Sequence, residues 1–432
     1  MRRLIALATA ALIVIGLGLL SAYGNRSSCG GPCPTPLAEG SDQFWFYHRD
    51  LGPSGSITVR LTSMTGTVTY PPRPGLVPWA KTGIIVKDGV RPGSSYAALM
   101  LTGAHGVRFQ HGFEHDVAGG DGNWLRLTRS GDTITGAQST DGKQWHTVGT
   151  ATLSGLPETA QVGLFATSPG ALTVLRNGTE QTRFTQAVGV FDNVTPSSAP
   201  WRSEPVGEMN MTDWEKHHHA SGAVSQDGVI TVSGTGDIGP LSDQGVLTVR
   251  SLMLGLPIAL IILLVLGARP RWRFLPLAFA AFATGLVAVG VTVAAGFAVL
   301  HAHHIPVQPL SPLTGARVII GLAVALALSA VLAQGLSRWT RRPWLGSVIA
   351  VALVCVPYLL TALPLLPDAV ASWLLRLTPA AGFAVQQTLV EYPQVVANYA
   401  PSAGYFPLPW WGGLAVLAAY AGVVVGLSKI KA

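Results

Sequence analysis

The chain has 432 residues, of which 49% are hydrophobic and only 11% are charged. Soluble domains carry about 25% charged residues, so this composition excludes an ordinary pair of soluble domains. The net charge of +7 raises the question of a nucleic-acid partner. The sequence has no long block of consecutive Lys and Arg, so a nucleic-acid partner is not expected.

The charges divide the chain into two unlike parts. Residues 24–250 hold 16 Lys and Arg against 19 Asp and Glu, and they are rich in Gly, Thr and Ser. The rest of the chain holds 12 basic residues and only two acidic ones, Asp368 and Glu391. The first part is therefore polar and mildly acidic, whereas the second is apolar and basic.

The first predicted element is a membrane span over residues 4–23, preceded by Arg2 and Arg3. About 20 apolar residues cross the ~30 Å hydrocarbon core of a bilayer. The alternative is a cleaved signal peptide, which shares the basic start but has an apolar run of only about 7–15 residues. The longer run favours a retained span, and we assign residues 1–24 to it.

Five further apolar runs have the length of a span, which predicts an α-helical polytopic membrane protein with six spans. With six spans, both termini lie on the same side of the bilayer. The runs are 251–268, 274–301, 318–336, 344–366 and 408–427.

The basic residues between the spans predict the orientation, because Lys and Arg accumulate in cytoplasmic loops. If the N-terminus is cytoplasmic, ten basic residues fall on that side, and the opposite short loops hold only Arg317 and Arg376. We therefore expect a plasma-membrane protein with both termini in the cytoplasm and residues 24–250 outside it. The ten are Arg2, Arg3, Arg269, Arg271, Arg273, Arg338, Arg341, Arg342, Lys429 and Lys431.

The spans carry no Asp, Glu, Lys, Arg or His in their interiors. Ion-coupled transporters need such groups within the membrane, so a secondary transporter is not expected. The chain has no G-x-x-x-x-G-K-[ST] motif, so any ATP-driven step would depend on another subunit. No catalytic constellation is evident either, and we expect neither enzymatic activity nor a cofactor.

Residues 41–195 alternate apolar and polar residues with the period of two that is typical of β-strands. Turn signals such as Pro92-Gly and Asp141-Gly separate the runs, and strands at this spacing predict a sandwich. Residues 196–250 are predicted to be a connector with one or two more strands. The alternating runs begin near Ser56, Gly83, Val107, Trp124 and Thr133.

One stretch of this β region carries a resemblance to a known family. It reads Trp124-Leu-Arg-Leu-Thr-Arg-Ser-Gly-Asp, then Thr140-Asp-Gly-Lys-Gln-Trp, then Ala160-Gln-Val-Gly-Leu-Phe, and it resembles concanavalin-A-like jelly-roll domains. The resemblance implies a lectin-like jelly-roll sandwich over residues 28–195, in which Trp145 caps the core. Four aromatic residues could stack on a carbohydrate ligand or could instead belong to the core: Trp45, Tyr47, Trp79 and Trp124.

Cysteine and histidine give weaker signals. Cys29 and Cys33 follow the first span on the oxidising side, where a local disulfide is favoured over a metal site. Cys355 lies within a span and is expected to pack there. The histidines of 217–219 and 301–304 lie in polar segments without the Cys or acidic partners of a metal site, so no metal is predicted.

The membrane half carries a second resemblance. The sequence Trp373-Leu-Leu-Arg-Leu-Thr-Pro-Ala-Ala-Gly-Phe-Ala-Val-Gln-Gln-Thr, followed by Gly404-Tyr-Phe-Pro-Leu, resembles the external re-entrant segment of actinobacterial ABC-type export permeases of the type-two family. The resemblance implies a five-span permease-like domain over 251–432 with a re-entrant segment over 373–407, marked by Pro379, Gln386 and Gln387. On physical grounds alone, an interfacial helix is the alternative.

The same resemblance implies partners: a separate ATP-binding subunit, and a dimer with a second copy or a related permease. The chain departs from the family in the loop after the second span, which usually carries a longer charged segment where the ATPase docks. Here the loop is short and without acids, and Arg269, Arg271 and Arg273 are the coupling candidates. The competing hypothesis is a membrane-anchored carbohydrate-binding or sensing protein without transport activity.

Overall fold

The computed structural model describes residues 2–25, 40–175, 180–196, 200–207, 219–240, 247–269, 273–305, 307–363 and 365–430. Helix α1 (Arg2–Gly24) comes first, a region of antiparallel strands follows, and a helical region completes the chain. The predicted combination of a β-sandwich with membrane-length apolar helices is therefore confirmed at this level.

The β region consists of two antiparallel sheets packed face to face. Of the strands that follow residue 196, β16, β17 and β18 join the same two sheets. The first sheet has the order β11-β10-β9-β3-β15-β18-β17, with β4 paired to β3. Its strands are β3 (Ser54–Val68), β4 (Arg73–Pro74), β9 (Trp124–Ser130), β10 (Thr133–Ser139), β11 (His146–Thr152), β15 (Thr185–Thr195), β17 (Gly222–Gln226) and β18 (Val229–Gly234).

The second sheet has the order β16-β2-β12-β5-β6-β7-β8. Two short ribbons, β1 with β19 and β13 with β14, complete the β region. The strands of the second sheet are β2 (Phe44–Leu51), β5 (Lys81–Lys87), β6 (Tyr96–Thr102), β7 (Val107–His111), β8 (His115–Ala118), β12 (Ala160–Thr167) and β16 (Arg202–Val206). The ribbon strands are β1 (Gly40–Asp42), β13 (Ala171–Val174), β14 (Glu180–Arg183) and β19 (Ile238–Pro240).

The central strands of the second sheet are buried on both faces. Toward the first sheet, strand β5 places Ile84 and Val86 in the inter-sheet core. Toward the other side, Ile85 joins a second apolar cluster with Phe44, Phe46, Tyr96, Met100 and Phe165. This explains why every residue of β5 is buried, including its two lysines.

The ribbon of β1 and β19 closes that second face. It pairs Gly40 with Pro240 and Asp42 with Ile238, so the chain enters and leaves the β region on neighbouring strands. Because its two ends are paired, the β region can be inserted between α1 and the later helices while those helices stay packed together.

Among the described residues, five helices are long and apolar enough to cross a membrane. The central one is α5 (Pro312–Thr340), which packs against α3, α4, α6 and α9. The helices after the β region are α2 (Val249–Leu252), α3 (Leu256–Gly267), α4 (Phe274–Ala302), α5, α6 (Pro343–Ala350), α7 (Val356–Ala362), α8 (Asp368–Leu377) and α9 (Trp410–Ile430). Helices α6 and α7 are continuous through a π-helical turn, Val351–Cys355, which precedes Pro357.

The predicted second span, 251–268, is interrupted: α2 ends at Leu252, and α3, which begins at Leu256, has 12 residues. Close packing on α1 explains the break. A Cβ at Gly255 would lie 2.5 Å from the Ile13 carbonyl oxygen, so only glycine allows this approach. The described helices thus give five membrane-length spans and one shorter apolar helix where six uninterrupted spans were expected.

The helices define two ends of the bundle. The β region joins the helices at one end, which we call the outer end, and there the Ser21 hydroxyl donates to the Ser251 carbonyl at 2.7 Å. At the opposite end, the Ser337 hydroxyl donates to the Ala268 carbonyl, which joins the end of α3 to the last turns of α5. We call the second end the basic end, because the helix termini there carry Arg3, Arg269, Arg273, Arg338, Arg341, Arg342 and Lys429.

Candidate functional site at the outer end of the helices

The chain between α8 and α9, residues 378–409, forms the external segment. Its first part is a 3₁₀ helix, Pro379–Gln386, in which all eight residues are buried. Tight contact with α9 explains this burial, since a Cβ at Gly413 would lie 2.1 Å from the Ala381 carbonyl oxygen. The first part of the external segment is therefore packed within the helix bundle.

The two glutamines predicted in this segment hold it in place. The Gln386 side chain exchanges hydrogen bonds with the Tyr358 hydroxyl of α7, at 3.2 and 3.3 Å. Gln387 accepts from the Phe406 backbone N–H at 2.7 Å and donates to the Leu389 carbonyl at 3.2 Å. Pro379 lies at the first turn of the 3₁₀ helix, where its missing N–H costs no hydrogen bond.

Further polar contacts connect the segment to its surroundings. The Gln308 amide donates to the Thr388 carbonyl at 2.9 Å. Arg250 donates from one nitrogen to the Pro401 carbonyl at 2.9 Å and from another to the Ala362 carbonyl at 3.2 Å. Both of these acceptors are backbone carbonyl oxygens. These contacts are nonlocal, and sequence reasoning missed them.

The external segment also touches the β region. The Tyr392 hydroxyl donates to the Glu114 carboxylate at 2.6 Å, and the Gln394 amide donates to the Glu114 carbonyl at 2.9 Å. Partial burial, together with the hydrogen bond to Glu114, raises the pKa of Tyr392 to about 12. Glu114 lies in the turn between β7 and β8, next to Phe113, which is buried in the second apolar cluster.

The four aromatic residues predicted for sugar stacking do not share one surface, although Trp45 and Tyr47 lie on the same face of β2. Trp45 donates to the Ser203 hydroxyl at 2.9 Å, and Tyr47 stacks on Trp201 with a centroid distance of 4.9 Å. Trp79 is only 6% exposed and stacks on His105 at 4.0 Å. The structure does not bring these three together with Trp124.

Trp124 lies on the outer face of the first sheet, because Leu125 and Leu127 on the same strand point into the inter-sheet core. The guanidinium of Arg60 lies 5.7 Å from the Trp124 ring centroid. Beside it, the Arg126 guanidinium lies 3.8 Å from the centroid of Trp145. Trp145 was expected to cap the core and instead lies under Arg126, so these two indoles and two guanidiniums form the outer-face platform.

At the basic end, Arg269 and Arg273 are both exposed at the loop between α3 and α4. Near them, the Arg338 guanidinium lies 4.2 Å from the Phe274 ring centroid. Arg271, the third coupling candidate, lies outside the described residues.

The predicted disulfide cannot be placed, because Cys29 and Cys33 lie outside the described residues, as do His217 and His218. Within the described ranges, no group of three or more His, Cys, Asp or Glu is arranged to hold a metal ion. Cys355 is a free, buried cysteine.

No family model and no curated protein matches the chain. Among solved structures, it is similar to SCP-B, a peptidase of the Eqolisin family in complex with the tripeptide Ala-Ile-His, at 11% identity and a TM-score of 0.27, covering 45% of this chain and 98% of that one. It is also similar to a functionally unknown protein from Saccharomyces cerevisiae at 16% identity and a TM-score of 0.17, covering 36% and 72%. Likeness at this level carries no functional argument.

Proposed function

We propose that the chain is the permease subunit of an ABC-type exporter. The observation that carries this proposal is the external segment, which is folded back and buried between α5 and α9 at the outer end. A buried segment between the last two membrane-length helices agrees with the re-entrant segment that the resemblance to type-two export permeases implies.

The proposal includes six crossings, with α2 and α3 together supplying the interrupted one, and both termini in the cytoplasm. The clustering of basic helix termini at one end supports this orientation through the positive-inside rule. ATP binding is assigned to a separate subunit docked at the basic end, and a second copy or a related permease completes the transport path. A C-terminal reporter that is active only outside the cytoplasm should be inactive.

Co-purification from native membranes in mild detergent tests the proposal. We expect the tagged full-length chain to recover an ATP-binding subunit, and we expect the double variant Arg269→Glu/Arg273→Glu to lose it. Arg376→Glu is the control, because it makes the same kind of replacement at one exposed arginine of α8, away from the basic end. Wild-type chain that recovers no ATP-binding subunit would refute the exporter assignment.

The outer-face platform favours a second candidate, a membrane-anchored carbohydrate-binding protein with a jelly-roll domain. Aromatic rings and guanidiniums on one exposed sheet face can stack on sugar rings and donate hydrogen bonds to their hydroxyls. A glycan array probed with the full chain should then show binding that Trp124→Ala and Trp145→Ala abolish and Trp79→Ala retains. An array without signal would leave the platform with a structural role.

A further inference from the structure

A pocket of about 370 Å³ lies at the outer end, between the start of α5, the external segment and the start of α9. One part of its lining is polar, with Thr314, Arg317 and Gln387. Another part is apolar, with Phe406 and Trp410. A lining of this kind matches a ligand that has one polar and one apolar end.

Arg317 supplies the only positive charge among the lining residues. No ion pair joins it to a carboxylate among the described residues. One terminal nitrogen donates to the Gln387 carbonyl, whereas its Nε is buried and has no acceptor in the described part of the chain. Because a guanidinium offers five donors and buried donors are costly to leave unpaired, this arginine can accommodate an anionic ligand.

In the proposed topology, the pocket lies near the membrane interface on the side of the β region. Arg317 is five residues beyond Pro312, where α5 begins, which places it about 8 Å along the helix axis. Trp410 and Trp411 at the start of α9 are 42% and 63% exposed, and exposed tryptophans at helix ends mark the membrane interface.

We propose that this pocket binds the phosphate group of an anionic amphiphile. Arg317 and the Thr314 hydroxyl donate to the phosphate oxygens, and Phe406 and Trp410 contact the apolar chain. Arginine suits this task because its planar fork matches the oxygens of a phosphate. The proposal depends on the pocket and on its place near the membrane interface, and it is independent of whether the chain belongs to an exporter.

Native mass spectrometry and thermal-shift measurements on the full chain in detergent test the proposal. We add phosphatidylglycerol, phosphatidylcholine or inorganic phosphate as separate arms. We expect phosphatidylglycerol to bind and stabilise the wild type, and Arg317→Gln to weaken that binding at least about tenfold, the loss of one charge-assisted contact. Arg317→Lys, which keeps the charge but not the fork, should bind with intermediate affinity.

Arg376→Gln is the matched control, since it removes one positive charge from the outer end without touching the pocket. It should bind phosphatidylglycerol like the wild type. If inorganic phosphate binds in an Arg317-dependent way and phosphatidylglycerol does not, the phosphate site is supported and the amphiphile is overturned. If Arg317→Gln binds phosphatidylglycerol as the wild type does, the proposal fails altogether.

Discussion

The two regions of the molecule bury polar groups in opposite ways. In the β region, the buried polar groups include full charges: Lys87 and Asp42 are completely buried with their charged atoms 2.6 Å apart, and Lys81 pairs with Asp237. In the helical region, buried hydroxyls such as those of Thr292 and Ser329 donate to the carbonyl one turn earlier, at 2.7 Å. A full charge on a membrane-spanning helix is costly because hydrocarbon cannot solvate it. A β-sandwich, in contrast, can bury two opposite charges as a pair.

The buried pair should give the largest effect of any single substitution. Lys87→Met leaves the Asp42 carboxylate buried without its partner, and breaking a buried pair in this way costs about 3–5 kcal/mol of unfolding free energy. Burial alone raises the pKa of Asp42 and lowers the pKa of Lys87, so each depends on the other to stay charged. The lowered unfolding midpoint can be followed by circular dichroism in detergent.

The exposed pair between Arg202 and Asp50 is the matched control for that experiment. Both side chains are more than half exposed, so Arg202→Met should change stability by less than about 1 kcal/mol. The double variant Lys87→Met/Asp42→Leu removes both charges and should recover part of the loss. If the single variant Lys87→Met is as stable as the wild type, the stability of the β region does not depend on this ion pair.

The neutral polar contacts of the external segment should give a smaller effect. Gln387→Leu removes the acceptor for the Phe406 N–H and the donor to the Leu389 carbonyl, and leaving such groups unpaired costs about 1–3 kcal/mol. We expect faster protease cleavage within residues 389–406 and a lower unfolding midpoint. Glu391→Leu, at an exposed position of the same segment, should leave both unchanged, and equal effects from the two variants would contradict the role of Gln387.

Acid should affect the β region more than the helices. Burial lowers the pKa of His48 below its ordinary 6.5, with the hydrogen bond to Glu204 opposing this, and burial together with His115 lowers the pKa of His111. The unfolded chain therefore binds these protons first, so stability is present above about pH 6.5 and is lost as pH falls toward the folded pKa values.

The measurement is the unfolding midpoint of the β region between pH 7.5 and 5. His48→Gln should flatten the curve, whereas replacing the exposed His146 should not. A midpoint independent of pH would mean that the folded and unfolded chains bind the same number of protons, which would contradict the lowered pKa values of these histidines.

The comparison also shows how far sequence reasoning reaches. Period-two alternation was enough to predict β3, β5, β7, β9 and β10, because each strand has a face in the inter-sheet core. The alternation did not predict the second apolar face. A lysine such as Lys81 or Lys87 gives no sign of burial in the sequence until its acidic partner is known. The break at Gly255 and the Gln386–Tyr358 contact depend on residues far away in the chain, and hydropathy contains no information about them.

The contact between the two regions should give the smallest effect. Tyr392→Phe removes the hydroxyl that donates to Glu114, a partly exposed hydrogen bond that contributes less than about 1 kcal/mol. The Gln394 contact remains, so the regions should stay associated while amide exchange quickens in the turn at residues 112–115. Tyr420→Phe, which removes a hydroxyl that bonds to the Leu377 carbonyl away from this contact, should leave the turn unaffected. If exchange in the turn is the same in Tyr392→Phe as in the wild type, the β region is held by its paired chain ends and the hydroxyl adds nothing.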